Sequence, residues 1–141
     1  MFMTLEIELD GPVSTIWMNR PELHNAFDEN LILELTAACV ALDRDKDVRV
    51  VVLAGRGRSF SAGADLNWMK RAAGYSSEEN LRDSRALAEM LRRLAHFVGR
   101  DAFVLGWRVE QLAIVAVEDF VLAERLRLAA DGLEAAPEPC Q

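Results

Sequence analysis

Cysteine is scarce in this chain. Cys39 and Cys140 are the two present, and they stand far apart without the spacing of metal ligands. No metal site is expected, and Cys39, on the apolar face of a helical stretch, reads as a small core residue. Long apolar runs are also missing. Hydrophobic residues make up 51% of the sequence, yet none of their runs is long enough to span a bilayer. The opening Met1-Phe2-Met3-Thr4-Leu5-Glu6 lacks a basic stretch followed by an apolar core, so no secretory signal and no membrane partner are expected, and a cytoplasmic location is. Basic residues are outnumbered, 16 against 23 acidic ones, for a net charge of −7. That balance disfavours a nucleic-acid partner held by phosphate attraction. The acidic excess is uneven: residues 96–141 hold four arginines and eight acidic side chains. Internal repeats and low-complexity tracts are absent.

What is present suits one domain with a real core. A chain of 141 residues is long enough to bury one, and the apolar fraction excludes general disorder. Leu5, Ile7 and Leu9 alternate with Glu6 and Glu8, which predicts a half-buried strand. Gly11-Pro12 turns the chain, and Val13 to Met18 returns as a second strand. Asp28 is placed to cap a helix running to about Asp43, with Leu31, Leu35, Ala38 and Leu42 on one face. Val48 to Ala54 is apolar on both faces and predicts a central strand. Ser76 and Glu79 form a capping box for a helix carrying Leu87, Met90, Leu91 and Leu94 and ending near Ala95. Strand pairs alternating with helices give an α/β fold class. Beyond residue 95 the pattern predicts a mostly helical tail, with one helix from Gln111 to Leu128 and a frayed end at Pro137-Glu138-Pro139.

Between the central strand and the next helix lies Arg58-Ser59-Phe60-Ser61-Ala62-Gly63-Ala64-Asp65-Leu66. Small residues at such a junction let the backbone approach a ligand closely. Free N–H groups there suit an anion or a developing oxyanion. A serine nucleophile is the poorer reading, because no G-x-S-x-G elbow surrounds Ser59 or Ser61. Taken alone, the loop is as readily a tight structural turn, and Asn19-Arg20-Pro21 an ordinary strand ending.

Three stretches in order resemble the crotonase family, the enoyl-CoA hydratases and isomerases. They are Trp17-Met18-Asn19-Arg20-Pro21-Glu22-Leu23-His24-Asn25-Ala26-Phe27, then Val50 to Gly55, then the loop around Ala62-Gly63-Ala64-Asp65-Leu66. The run Ala64 to Arg71, with Asn67, Trp68 and Met69, is similar to the methylglutaconyl-CoA hydratase branch. The resemblance covers about residues 4–95, so the chain divides into a crotonase-like N-terminal half, 1–95, and a divergent tail, 96–141. It implies a ClpP/crotonase fold built from ββα-type units. It also implies water addition to an α,β-unsaturated acyl-CoA with no metal or redox cofactor, coenzyme A being part of the substrate. On this resemblance the Ala64 backbone N–H is the first oxyanion donor. Glu22, Leu23, His24 and Ala26, with Ala62, Gly63, Asp65 and Leu66, line the CoA site. Many relatives have a basic residue where Glu22 stands, so a phosphate contact there is weakened. His24 is expected to make a loop contact and not to act as a general base.

The family's second oxyanion donor comes from a Gly-rich loop further on, and its acid–base carboxylates follow that loop. After Ala95 this sequence has no Gly-Gly-Gly cluster. Glu110, Glu118, Asp119 and Glu124 read as a solvated face. The expectation is a family member with poor or no activity as it stands. A non-catalytic acyl-CoA-binding or subunit-association module is the alternative, and an isomerase or dehalogenase is a third reading. The resemblance implies a homo-oligomer, a trimer or a pair of trimers.

Overall fold

The computed structural model describes residues 1–98, 102–107 and 111–117, with side chains through Ala95. Strands β1 (Leu5–Asp10) and β2 (Val13–Met18) form an antiparallel hairpin, pairing Leu5 with Met18 and Asp10 with Val13. Gly11, at φ +56°, makes the turn. Alternation along β2 is clean: Ser14, Ile16 and Met18 are buried, and Val13, Thr15 and Trp17 are half-buried. Along β1 burial fades from Leu5, 5% exposed, to Leu9, 64% exposed, as the hairpin runs out toward its turn.

Helix α1 (Glu29–Arg44) connects β2 to β3 (Val50–Gly55), which lies parallel to β2 with Ile16 opposite Leu53. The Asp28 side chain caps α1 by accepting from the Leu31 N–H at 2.9 Å. Leu31, Ile32, Leu35, Ala38, Cys39 and Leu42 form its buried stripe. Each fully buried leucine contributes about 1.5–3 kcal/mol. At the open end of the hairpin, the Glu34 carboxylate accepts from the Met3 and Thr4 N–H groups, both at 2.8 Å, and so fixes β1 to α1. The expectation that β3 is buried on both faces holds only in part. Val50, Val51, Leu53 and Gly55 are buried, whereas Val52 and Ala54 are half-buried. On the sheet surface nearby, Arg56 stacks over Trp17 at 4.1 Å and pairs with Glu6 and Glu8.

Two more helices follow, α2 (Leu66–Ala72) and α3 (Ser77–Val98). The predicted capping box is formed: the Glu79 carboxylate accepts from the Ser76 N–H at 2.8 Å, and the Ser76 hydroxyl accepts from the Glu79 N–H at 3.2 Å. Helix α3 runs three residues beyond its expected end at Ala95 and packs against α1, with Met90 completely buried.

The tail corrects the prediction. A mostly helical segment was expected, with Gln111 to Leu128 helical. Instead β4 (Ala102–Trp107) and β5 (Gln111–Val117) are antiparallel strands, and the sheet order is β1-β2-β3-β5-β4. Alanine and leucine in Gln111-Leu112-Ala113-Ile114-Val115-Ala116-Val117 favour helix by local propensity. Pairing decides otherwise. The open edge of central strand β3 takes β5, with Val50 opposite Val117 and Leu53 opposite Ile114, and β-branched residues suit that position. One sheet therefore includes strands from both sides of residue 95. Residues 118–128 and the expected frayed end at 137–139 lie outside the described residues.

Burial raises the Cys39 thiol to about 11. A buried neutral thiol is a poor nucleophile. Cys39 is therefore expected to resist alkylation at pH 8 in the folded protein and to react fully in denaturant. Peptide mapping separates it from Cys140. Rapid native-state labelling of Cys39 would mean that α1 does not stay packed on the sheet.

Candidate functional site

Two loops at one end of β2 and β3 are laced together. The first leaves β2 through a single 3₁₀ turn, Pro21–Leu23, and passes His24 and Asn25 at φ 50° and 53°. The second leaves β3 at Gly55 and runs to Asp65. A Cβ at Gly55 would stand 2.7 Å from the Phe60 carbonyl oxygen and 2.7 Å from the Asn25 amide nitrogen. Only glycine allows that close approach. Asn25, completely buried, accepts from the Arg20 N–H at 2.9 Å. Its amide donates to the carbonyls of Arg56 at 2.9 Å and Ser59 at 2.7 Å. The Ser61 hydroxyl donates to the Asn25 carbonyl, and the Ala62 N–H donates to the His24 carbonyl, both at 2.9 Å. His24 Nδ1 lies 2.9 Å from the Ser59 hydroxyl.

The lacing ends in an isolated parallel bridge between Phe27 and Ala64. The Phe27 N–H donates to the Gly63 carbonyl at 2.7 Å, and the Asp65 N–H donates to the Phe27 carbonyl at 2.8 Å. In such a bridge the residue between the two bonded neighbours turns its own N–H and C=O to the opposite side. The Ala64 N–H accordingly has no hydrogen-bond partner among the described residues, and Ala62, Gly63 and Ala64 are all exposed. Gly63, at φ +86°, provides the backbone turn that presents it.

The helix terminus beside this loop is not the anion site that the sequence suggested. Asp65 caps α2 itself, accepting from the Asn67 N–H at 2.7 Å and the Trp68 N–H at 3.1 Å. Those donors are occupied. The Trp68 N–H foremost, with the Asn67 N–H and the Arg20 guanidinium, holds the Asp65 carboxyl below its usual 3.8, outweighing the opposing effect of burial. The Ala64 N–H, unlike those two, has no hydrogen-bond partner among the described residues.

The predicted site residues separate into two groups. Glu22, Leu23, His24, Ala62, Gly63 and Leu66 are exposed on or beside the two loops, Leu23 at 39% and Leu66 at 72%. Ala26 and Asp65, both 7% exposed, face inward and belong to the scaffold. Trp68 is half-buried against the core, whereas Met69 is 53% exposed. Trp68 also lines a groove between α1, α2 and α3 with Ile32, Leu33, Asp83 and Ala86. Sequence reasoning missed Arg20, Asn25 and Asp28 as parts of the site. Arg20 is buried, its guanidinium bonded to the Ala26 carbonyl, to Asp28 at 2.9 Å and to Asp65 at 3.1 Å. The readable signal was an arginine beside a strand ending with two capping aspartates downstream. Among the described residues no group of three or more His, Cys, Asp or Glu is placed to hold a metal ion, and no helix is long and apolar enough to cross a membrane.

Comparison with known proteins follows the same boundary as the motifs. The pattern of the family described as Enoyl-CoA hydratase/isomerase matches residues 8–95. A putative enoyl-CoA hydratase of Thermus thermophilus is 40% identical over 84 residues, which are 60% of this chain and 33% of that protein. A peroxisomal Δ(3,5)-Δ(2,4)-dienoyl-CoA isomerase of Arabidopsis thaliana is 36% identical over 95 residues, 65% of this chain and 34% of that one. Among solved structures, an enoyl-CoA hydratase from Shewanella pealeana superposes with a TM-score of 0.64 at 36% identity, covering 66% of this chain and 35% of its own. The chain thus spans about a third of the length of these relatives.

Proposed function

Because the chain belongs to the enoyl-CoA hydratase/isomerase family, we propose that its Ala64 loop is the first half of an oxyanion site for an α,β-unsaturated acyl-CoA. The observation that carries this reading is the Ala64 N–H, which has no hydrogen-bond partner among the described residues, at an exposed residue of a loop braced by hydrogen bonds on both sides of it. In hydration, water adds to the β-carbon and the electron pair moves through the conjugated system onto the thioester oxygen. A proton then returns to the α-carbon. A rigid N–H aimed at that oxygen stabilises the enolate-like charge without reorganising as it forms. In this reading the second donor and the acid–base carboxylates come from a Gly-rich loop and the segment after it, as in the family at large. No metal or redox cofactor takes part.

Glu22, Leu23 and His24 form one wall for the CoA portion, and Ala62, Gly63 and Leu66 form the other. Ala26 and Asp65 act on it only through the scaffold. The acyl group proposed is of the 3-methylglutaconyl type, on the similarity of Asn67, Trp68 and Met69 to that branch. Association into trimers or pairs of trimers belongs to the same proposal. A double-bond isomerase is the second reading, favoured by the similarity to the Arabidopsis dienoyl-CoA isomerase. Both reactions use the same thioester oxyanion and differ in the carboxylates.

The test is a titration of the isotopically labelled chain with crotonyl-CoA, followed by amide NMR. The Ala64 N–H resonance is expected to move downfield at saturation, with smaller changes at Leu23, His24 and Ala62. Replacing the Gly63–Ala64 amide by an ester, which removes the N–H and also weakens the Gly63 carbonyl as acceptor for the Phe27 N–H, is expected to weaken binding. An unmoved Ala64 resonance at millimolar ligand would sink the oxyanion reading.

A further inference from the structure

We propose that Arg20 is the positioning residue for the Ala64 amide, because its buried guanidinium ties together both sides of the two-bond bridge that turns that amide outward. The proposal rests on the oxyanion reading above.

The bridge between Phe27 and Ala64 has only two hydrogen bonds, those of the Phe27 and Asp65 N–H groups. So short a pairing specifies its own register weakly. A slip by one residue would turn the Ala64 N–H inward and present a neighbouring group in its place. The Arg20 contacts fall on the residues that flank the bridge. Its Nη1 donates to the carbonyl of Ala26, just before Phe27. Its Nη2 lies 2.9 Å from Asp28, just after Phe27, and 3.1 Å from Asp65, just after Ala64. Both aspartates are also helix caps, Asp28 for α1 and Asp65 for α2. Fixing their carboxylates therefore fixes the start of each helix relative to the bridge. The three side chains are nearly enclosed, 11%, 12% and 8% exposed.

This arrangement needs arginine. A planar fork can serve three acceptors in fixed directions, whereas a lysine ammonium on a flexible stem cannot hold the same geometry. Removing the cation altogether would leave two enclosed carboxylates converging on one point, and their repulsion would drive Asp65, with Ala64 attached, away from Asp28.

The experiment uses the full chain, its Arg20→Lys variant and an Asp65→Asn variant. Asparagine caps a helix about as well as aspartate, so Asp65→Asn weakens the arginine contact while keeping α2 capped. Amide hydrogen exchange is read first, without ligand. In Arg20→Lys the Phe27 and Asp65 amides are expected to exchange at least about tenfold faster, with the β2 and β3 amides within about twofold of the parent. Asp65→Asn is expected to speed the same two amides by less. If Arg20→Lys does not fold, the Asp65→Asn result decides. Unchanged exchange at Phe27 and Asp65, or an equal rise everywhere, overturns the proposal, the latter because Arg20 would then serve general stability alone.

The second readout is the absorption of a bound aryl-enoyl thioester of CoA, whose band moves to longer wavelength when its carbonyl is polarised. The parent chain is expected to shift the band and Arg20→Lys, at saturation, to lose at least about half of the shift. An undiminished shift in the variant overturns the positioning role. A parent chain that binds the probe with no shift overturns the oxyanion reading instead, and the exchange result alone then decides whether Arg20 holds the loop.

Discussion

Replacing Asn25 by alanine is expected to cost the protein about 3–6 kcal/mol, a large share of the 5–15 kcal/mol that holds a small domain together. Asn25 is completely buried and its side chain makes three hydrogen bonds, with the Arg20 N–H and the carbonyls of Arg56 and Ser59. Alanine leaves those three backbone groups without that partner. Each stranded group costs roughly 1–3 kcal/mol where water does not replace it, and the costs are not strictly additive. Asn25 also sits at φ 53°, a left-handed conformation that asparagine adopts readily and alanine does not. The two contributions separate in Asn25→Gly, which loses the same hydrogen bonds but none of the backbone freedom. Glycine should therefore be the milder change, by about 1 kcal/mol. Urea denaturation of the three proteins is the measurement. A loss below 1 kcal/mol in Asn25→Ala would mean that the two loops are not joined through this side chain.

The parts of this molecule that repeat were legible in its sequence. The hairpin followed from alternation at Leu5 and Ile7 and from Gly11-Pro12. Helix α1 followed from Asp28 and the spacing of Leu31, Leu35, Ala38 and Leu42, and α3 from Ser76 and Glu79. Strand β3 was a plain apolar run. Each signal is local and periodic, so neighbouring residues reinforce one another. Strand β5 was misread because its alanines obey a helical preference that pairing with β3 overrides. The loop around Ala64 stood out in the sequence through its small residues, but its construction did not. A single bridge between Phe27 and Ala64 has no period, and Arg20 meets Asp65 across 45 residues of sequence. Asn25 stood inside a recognisable motif yet was given no role of its own, because the carbonyls it binds belong to a loop more than 30 residues away. A local reading supplies the elements; contacts between loops depend on how the elements are brought together.

Hydration of 3-methylglutaconyl-CoA or crotonyl-CoA by the 141-residue chain alone is expected to be very slow or undetectable. The donor proposed for the thioester oxygen is the Ala64 N–H, which has no hydrogen-bond partner among the described residues. The two buried carboxylates closest to it in the sequence, Asp28 and Asp65, are engaged by Arg20 and by the helix ends they cap. The Asp65 carboxyl, held below its usual range first by the Trp68 N–H and then by the Asn67 N–H and Arg20, is a poor proton carrier. Loss of one oxyanion donor lowers the rate about 100- to 1000-fold. Each absent acid–base group lowers it by about another 100- to 10,000-fold. The factors do not multiply cleanly, because groups acting on one transition state work as a unit. Either deficit alone would leave a weak enzyme, and the two together leave almost no rate above background. Binding need not fall in step, since the walls proposed for the CoA portion at Leu23, His24, Ala62 and Gly63 do not depend on the acid–base groups. Measurable acyl-CoA affinity without turnover would favour the non-catalytic binding module. The assay is loss of the conjugated enoyl absorbance with purified protein. Turnover within tenfold of an ordinary hydratase would refute the expectation and point to carboxylates in residues 96–141. Glu110→Gln, Glu118→Gln and Glu124→Gln would then be compared, and the variant that abolishes the rate would identify the group acting beside Ala64.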